Sequence, residues 1–167
     1  MPHTASPSHR TTSRPSGQRD RLSVDPDALF VYGSLLFPEV LQALLDRVPN
    51  RVPASAAGWR VTALPGRVYP GLVRAQSEAA GLLMTDLTPP EWDTLDAFED
   101  QLYQLQRLAL SDGRAGWAYV CGDIIQTPPD DWDPQQFAVR DLAAYVGGCI
   151  AWRQRYLTRP AVPSPDL

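Results

Sequence analysis

Residues 29 to 48 read Leu29-Phe30-Val31-Tyr32-Gly33-Ser34-Leu35-Leu36-Phe37-Pro38-Glu39-Val40-Leu41-Gln42-Ala43-Leu44-Leu45-Asp46-Arg47-Val48. A short apolar run stops at Gly33-Ser34. Pro38 then opens a segment in which Val40, Leu41, Leu44, Leu45 and Val48 recur on one helical face. The pattern is strand, tight loop, helix, with the helix laid on a sheet through that face and ended by Asn50 and Pro53. Glycine in the loop permits close backbone approach. Consecutive N–H groups near a helix N-terminus make a small cradle suited to a carboxylate or a phosphate. A plain strand-to-helix turn has the same local signature, so the loop alone leaves both readings open.

Outward from this unit, three strands are predicted around Arg51 to Leu64, Gly66 to Val73 and Ala79 to Thr85, separated by proline and glycine turn signals. Thr88-Pro89-Pro90-Glu91 is a capping box opening a short helix to about Asp100. Strands follow at Tyr103 to Leu110 and Gly116 to Val120, joined through the turn Ser111-Asp112-Gly113-Arg114. Asp133-Pro134-Gln135-Gln136 repeats the capping signature, and Leu142, Tyr145, Val146, Cys149, Trp152 and Tyr156 recur at helical spacing. A last helix is expected there, weakened in its middle by Gly147-Gly148. Strands outnumber helices without regular alternation, so the class is α+β. Five or more short, strongly curved strands suffice to close into a small barrel.

The Ser, Thr, Pro and Arg mixture of residues 1–27 carries too little apolar surface to offset the entropy of ordering it, and is expected to be a disordered tail. One domain then spans 28–160, with a short C-terminal tail at 161–167. The tail lacks the apolar stretch of a secretory signal and no run reaches membrane-spanning length, which predicts a cytoplasmic protein with no membrane contact. Beyond residue 27, eleven arginines face sixteen acids, so no nucleic-acid partner is expected. Nothing in the sequence signals an oligomeric state.

The missing residue types narrow the chemistry further. The two histidines, His3 and His9, lie in the expected tail, which excludes Ser/His/Asp and Cys/His arrangements and His-ligated metals from the domain. There is no lysine, hence no internal Schiff base and no phosphate-loop lysine. Cys121 and Cys149 lack metal-ligand spacing and read as small buried hydrophobes. No metal site is expected, and in an enzyme of this composition proton transfer falls to a carboxylate, a tyrosine or a cysteine.

Four glutamates are present: Glu39, Glu78, Glu91 and Glu99. Glu39 suits the first turn of its helix, Glu91 closes the capping box, and Glu78 belongs to a polar loop. At about 100° per residue, Glu99 shares an apolar arc with Trp92, Leu95 and Phe98. A carboxylate there is desolvated, and desolvation raises its pKa toward the range of a general base. A rim carboxylate bonded to a backbone N–H or to Arg107 fits the same position.

Phe30-Val31-Tyr32-Gly33-Ser34-Leu35, Pro38-Glu39-Val40-Leu41, Gly66-Arg67-Val68-Tyr69-Pro70-Gly71-Leu72 and Leu95-Asp96-Ala97-Phe98-Glu99, in this order, resemble the gamma-glutamyl cyclotransferase-like family, in the branch first described as plant avirulence-induced proteins. The resemblance covers about residues 29 to 120. It implies a small mixed β-barrel with flanking helices, in which the Tyr-Gly-Ser-Leu loop and the glutamate of the Leu-Asp-x-Phe-Glu motif, here Glu99, face one cavity. It implies that the N–H groups of Gly33, Ser34 and Leu35 hold a substrate α-carboxylate, with Tyr32 supporting the loop. Tyr69 and Tyr119 are pocket wall or strand core on this reading.

The implied chemistry is release of 5-oxoproline from a small gamma-glutamyl substrate by attack of its own α-amino group, without a cofactor and with Glu99 as base and acid. One departure stands out. Many relatives carry Tyr-x-Arg where this chain has Tyr103-Gln104-Leu105, and Arg107, two residues along the same strand face, is the candidate to compensate. A metabolite-binding module and a protein-interaction module on the same fold are the rival readings.

Overall fold

In the computed structural model, which describes residues 21–121 and 130–160, the run Leu29–Val31 forms strand β1 and all of it is buried. Side chains alternate across it: Leu29 and Val31 join a core shared with the helices, and Phe30 joins a second core on the opposite face. β1 lies at the centre of a five-stranded sheet. Its neighbours are β3 (Pro70–Met84), antiparallel, and β5 (Ala115–Cys121), parallel. β2 (Arg51–Ala63) pairs outside β3 and β4 (Tyr103–Ala109) outside β5, giving the order β2-β3-β1-β5-β4.

The α+β class holds, but the sheet is not a closed barrel. β2 and β4 are edges, and no ladder joins them. β2 has 13 residues against 7 in β4, and the turn of the β4–β5 hairpin hydrogen-bonds across to β2. There the Ser111 N–H donates to Ser55 O at 2.9 Å and Arg114 Nη2 donates to Pro53 O at 3.0 Å. The sheet curls far enough for Ala56 and Trp59 of β2 to share the second core with Leu108 of β4.

β3 replaces two expected strands. The stretch around Arg74 to Glu78 is the exposed part of one long hairpin with β2, which bulges between Ala57 and Trp59 where Gly58 takes φ +87°. Glu78 accordingly sits in a strand, accepting a 3.1 Å hydrogen bond from Ser111 Oγ. The turn of this hairpin occupies residues 64–69.

Helix α1 (Pro38–Leu45) lays Val40, Leu41 and Leu44 into the first core, each burial contributing about 2 kcal/mol. It ends earlier than its periodicity suggests, at a left-handed Asp46, which leaves Val48 exposed. Helix α2 (Pro89–Phe98) starts at the expected capping box, with Thr88 and Glu91 each accepting from the other's backbone N–H. The final helical region is two helices, α3 (Pro134–Arg140) and α4 (Leu142–Leu157), broken at Asp141. α4 runs unbroken through Gly147-Gly148, because Tyr145, Cys149 and Trp152 pack on the first core. No described helix is long and apolar enough to cross a membrane.

Residues 1–20 and 161–167, with His3 and His9, lie outside the described residues. Within the expected tail, however, Arg21–Val24 forms a 3-10 turn, and the Arg21 side chain is only 7% exposed. Residues 21–27, which composition assigns to the tail, therefore include ordered structure.

Candidate active site

β1 delivers the chain into Tyr32-Gly33, and a 3-10 turn, Ser34–Leu36, leads into α1. As the opening residues of that turn, Ser34 and Leu35 have N–H groups without an acceptor inside it. Gly33 is required by close approach: a Cβ there would lie 2.7 Å from Pro70 Cγ. A Cβ on Gly71 would lie 2.5 Å from Cys121 Sγ. The Tyr69-Pro70-Gly71 stretch is thus wedged between the loop and β5, and the Tyr103 hydroxyl donates to Pro70 O at 2.5 Å. The Tyr32 hydroxyl donates to Tyr119 O, which ties the loop to β5 and leaves Tyr32 in a supporting role.

A cavity of about 320 Å³ opens beside this loop. Gly33, Ser34 and Leu35 line one side, and Phe98, Glu99 and Asp100 another; Tyr69, Tyr103, Tyr119 and Tyr145 complete the wall. All seven residues singled out from sequence, Tyr32, Gly33, Ser34, Leu35, Tyr69, Glu99 and Tyr119, border this one space.

Glu99 reaches it differently from the helical-arc argument. α2 stops at Phe98, and Glu99 is its C-cap in extended conformation (φ −65°, ψ 137°), its N–H donating to Leu95 O at 3.0 Å. The side chain enters the cavity because the chain turns there. Among the described residues its carboxylate has no hydrogen-bond partner, so it is not a rim group tied to a backbone N–H or to Arg107. Glu99 keeps some accessible surface where it borders the cavity, while the protein packed around it strips much of its hydration. Burial raises its pKa from the usual 4.5 to about 7; the Arg21 guanidinium opposes that rise, and Asp96 and Asp100 add to it.

The tyrosine hydroxyls around it are committed elsewhere. Tyr119 donates to Asp96 Oδ1 at 2.8 Å, so it forms wall and scaffold rather than presenting a free donor. Tyr69 donates to Asp100 Oδ2 at 2.9 Å and accepts from Arg67 Nε at 3.1 Å. Tyr145 and Ser34 Oγ share a hydrogen bond of 3.1 Å. Burial pushes Tyr119 and Tyr103 far above the usual phenol range, so both stay neutral. Of the hydroxyls and carboxylates on this wall, the Glu99 carboxylate is the one without a hydrogen-bond partner among the described residues.

Arg107 does not face this space: it is exposed on β4. Cys121 and Cys149 are free, buried thiols that burial pushes to about 11 and about 12, inert as the spacing suggested. Among the described residues no group of His, Cys, Asp or Glu is arranged to hold a metal ion.

Three residues in or beside this wall were not singled out from sequence. Asp96, 2% exposed, falls on the same helical arc as Trp92, so the arithmetic that drew attention to Glu99 applies equally to it. Tyr145 was legible only as an apolar position of a last helix. Arg21 carried no local signal.

A family model described as gamma-glutamyl cyclotransferase, AIG2-like, matches residues 29–136. The chain is 43% identical over 76 residues to AIG2-like protein C of Arabidopsis thaliana, covering 45% of this chain and 44% of that protein. It is 33% identical over 87 residues to AIG2-like protein D of the same plant, covering 52% and 57%. The chain thus spans about half the length of the curated relatives it matches. A solution structure from Arabidopsis thaliana superposes with a TM-score of 0.56 over 82% of this chain and 91% of that one, at 24% identity, a likeness of fold. The family match takes in all five strands of the sheet, the loop and Glu99, and the chain belongs to the gamma-glutamyl cyclotransferase family in its AIG2-like form.

Proposed function

We propose that this protein is a gamma-glutamyl cyclotransferase that releases 5-oxoproline from a small gamma-glutamyl amide or amine conjugate. The observation that carries the reading is the placement, across one cavity of about 320 Å³, of a desolvated carboxylate opposite the Gly33–Leu35 loop, where Ser34 and Leu35 open a 3-10 turn. That volume is at the small end for ligand sites, which suits a substrate of metabolite size. The loop receives the α-carboxylate of the glutamyl group, which curls its chain toward Glu99. Glu99 takes a proton from the α-ammonium group, and the freed nitrogen attacks the γ-carbonyl carbon. The new N–C bond closes a five-membered ring, and Glu99 returns the proton to the departing nitrogen as the bond to the leaving amine breaks. The ring nitrogen's second proton then passes to Glu99 and on to the released amine, which leaves as an ammonium. A carboxylate whose pKa is about 7 serves both directions near neutral pH. Holding the chain in its ring-closing geometry supplies a further part of the acceleration.

The test is 5-oxoproline release from a panel of gamma-glutamyl amino acids, dipeptides and amines, with wild type and Glu99→Gln side by side. Release by wild type, lost at least a hundredfold in the variant, is the expected result. No release from any member by folded wild type would overturn the reading and assign the cavity to binding without turnover.

A further inference from the structure

Arg21 precedes the family-matched segment, yet its side chain ends beside the cavity. Its Nη2 donates to Asp96 O at 2.7 Å and to Glu99 O at 3.3 Å; its Nη1 donates to Asp100 O at 3.0 Å and to Tyr103 O at 3.2 Å. Nε lies 2.9 Å from Asp96 Oδ1, and the guanidinium sits over the Tyr119 ring, 5.2 Å from its centroid. The four carbonyls run from the last turn of α2 to the start of β4, so they bracket Glu99 in the chain.

α2 has no basic residue in its own last turn, and its C-terminal carbonyls find their cation in Arg21. A planar guanidinium with five donors can serve four carbonyls and a carboxylate at once; an ammonium group cannot. As a device for stability alone the arrangement is poor. A buried ion pair such as Arg21–Asp96 (7% and 2% exposed) costs about as much in desolvation as it returns in attraction. What it does secure is the backbone on both sides of Glu99.

We propose that Arg21 is the positioning residue for Glu99: its guanidinium holds the backbone on either side of that carboxylate and supplies the positive field in which it exchanges its proton. The catalytic consequence rests on the cyclotransferase reading, whereas the effect on the Glu99 carboxyl rests on this geometry alone. The charged groups acting on Glu99 are Arg21 from the 3-10 turn, Asp96 on α2 and Asp100 beyond it. Tyr32 at the end of β1, Tyr103 on β4, Tyr119 and Cys121 on β5 and Tyr145 on α4 are all held neutral by burial. Arg21 is therefore the one cation among them, and removing it leaves two carboxylates pressing the pKa of Glu99 upward.

With only four glutamates in the chain, carboxyl carbon NMR of protein labelled with ¹³C-glutamate follows each titration directly, the Glu99 signal being the one absent from Glu99→Gln. In Arg21→Gln the Glu99 titration is expected to rise by about one pH unit, and kcat to fall about tenfold or more with KM little changed. Arg21→Lys keeps the charge and loses the fork: the titration stays near wild type while kcat still falls. Arg47→Gln, which removes a salt bridge to Asp86 and Glu91 away from the cavity, lowers stability and leaves the Glu99 titration in place. An unmoved Glu99 titration in folded Arg21→Gln, or wild-type kcat in Arg21→Lys, overturns the proposal. If wild type releases no 5-oxoproline, the cyclotransferase reading fails by itself and the NMR titration still decides the role of Arg21.

Discussion

Replacing Glu99 by glutamine should stabilise the protein at pH 8 and leave its stability nearly unchanged at pH 4. In the unfolded chain this carboxyl ionises near 4.5; in the folded protein burial holds it to about 7. Below 4.5 it is neutral in both states and costs nothing. Between 4.5 and 7 the unfolded chain ionises first, so folded-state stability falls as pH rises, and above 7 the loss is complete. The gap between the two values, at 1.36 kcal/mol per pH unit, gives about 3 kcal/mol. Because Glu99 still touches the cavity's solvent, about 1 to 3 kcal/mol is the expected range. Glutamine has nearly the same shape and no charge, so it escapes this cost. Urea unfolding of both proteins at pH 4, 6 and 8 in matched salt measures the difference, with every other titrating group common to the pair. A difference that is the same at all three pH values, or a variant less stable at pH 8, would refute the desolvated carboxylate.

Three further changes test the scaffold around it. Gly33→Ala drives a methyl into Pro70, at 2.7 Å, and should cost about 1 to 3 kcal/mol in chemical denaturation while lowering kcat/KM through the displaced loop. Asp96→Asn leaves the buried Arg21 charge without its anion and should cost about 3 kcal/mol or more, read as a lowered unfolding midpoint. Tyr145→Phe removes the bond to Ser34 alone, so about 1 kcal/mol of stability is lost and KM rises more than kcat falls.

Most of the sheet and the two helices nearest the cavity were legible because each carries its own local signal. The apolar run at Leu29–Val31, the Thr88 capping box and the turn at Asp112-Gly113 need no partner to be recognised. The continuity of β3 was hidden, because its exposed stretch around Ser77 and Glu78 has the composition of a loop and is held by pairing to β2. Openness of the sheet was hidden for a related reason: closure depends on how far two edges extend, which no single strand encodes. Gly147-Gly148 suggested a weak point that tertiary packing overrides, while the actual break falls at Asp141.

At the site, the loop and Glu99 were legible from motif and burial logic, although the turn that aims Glu99 was not. Arg21 was invisible. Its partners lie 75 to 82 residues away, and its surroundings in sequence are those of a tail. Arg107 looked better placed because it is close in sequence, yet it is exposed on β4, whereas Arg21 lies over Tyr119, which faces Leu105 across the ladder.

The pH dependence of kcat/KM for 5-oxoproline release most directly tests Glu99 as the base. The account predicts a rate that climbs through an inflection near pH 7 and levels above it, as the buried carboxyl loses its proton. An inflection near the ordinary 4.5, a rate flat from pH 5 to 8, or no release at any pH would contradict it.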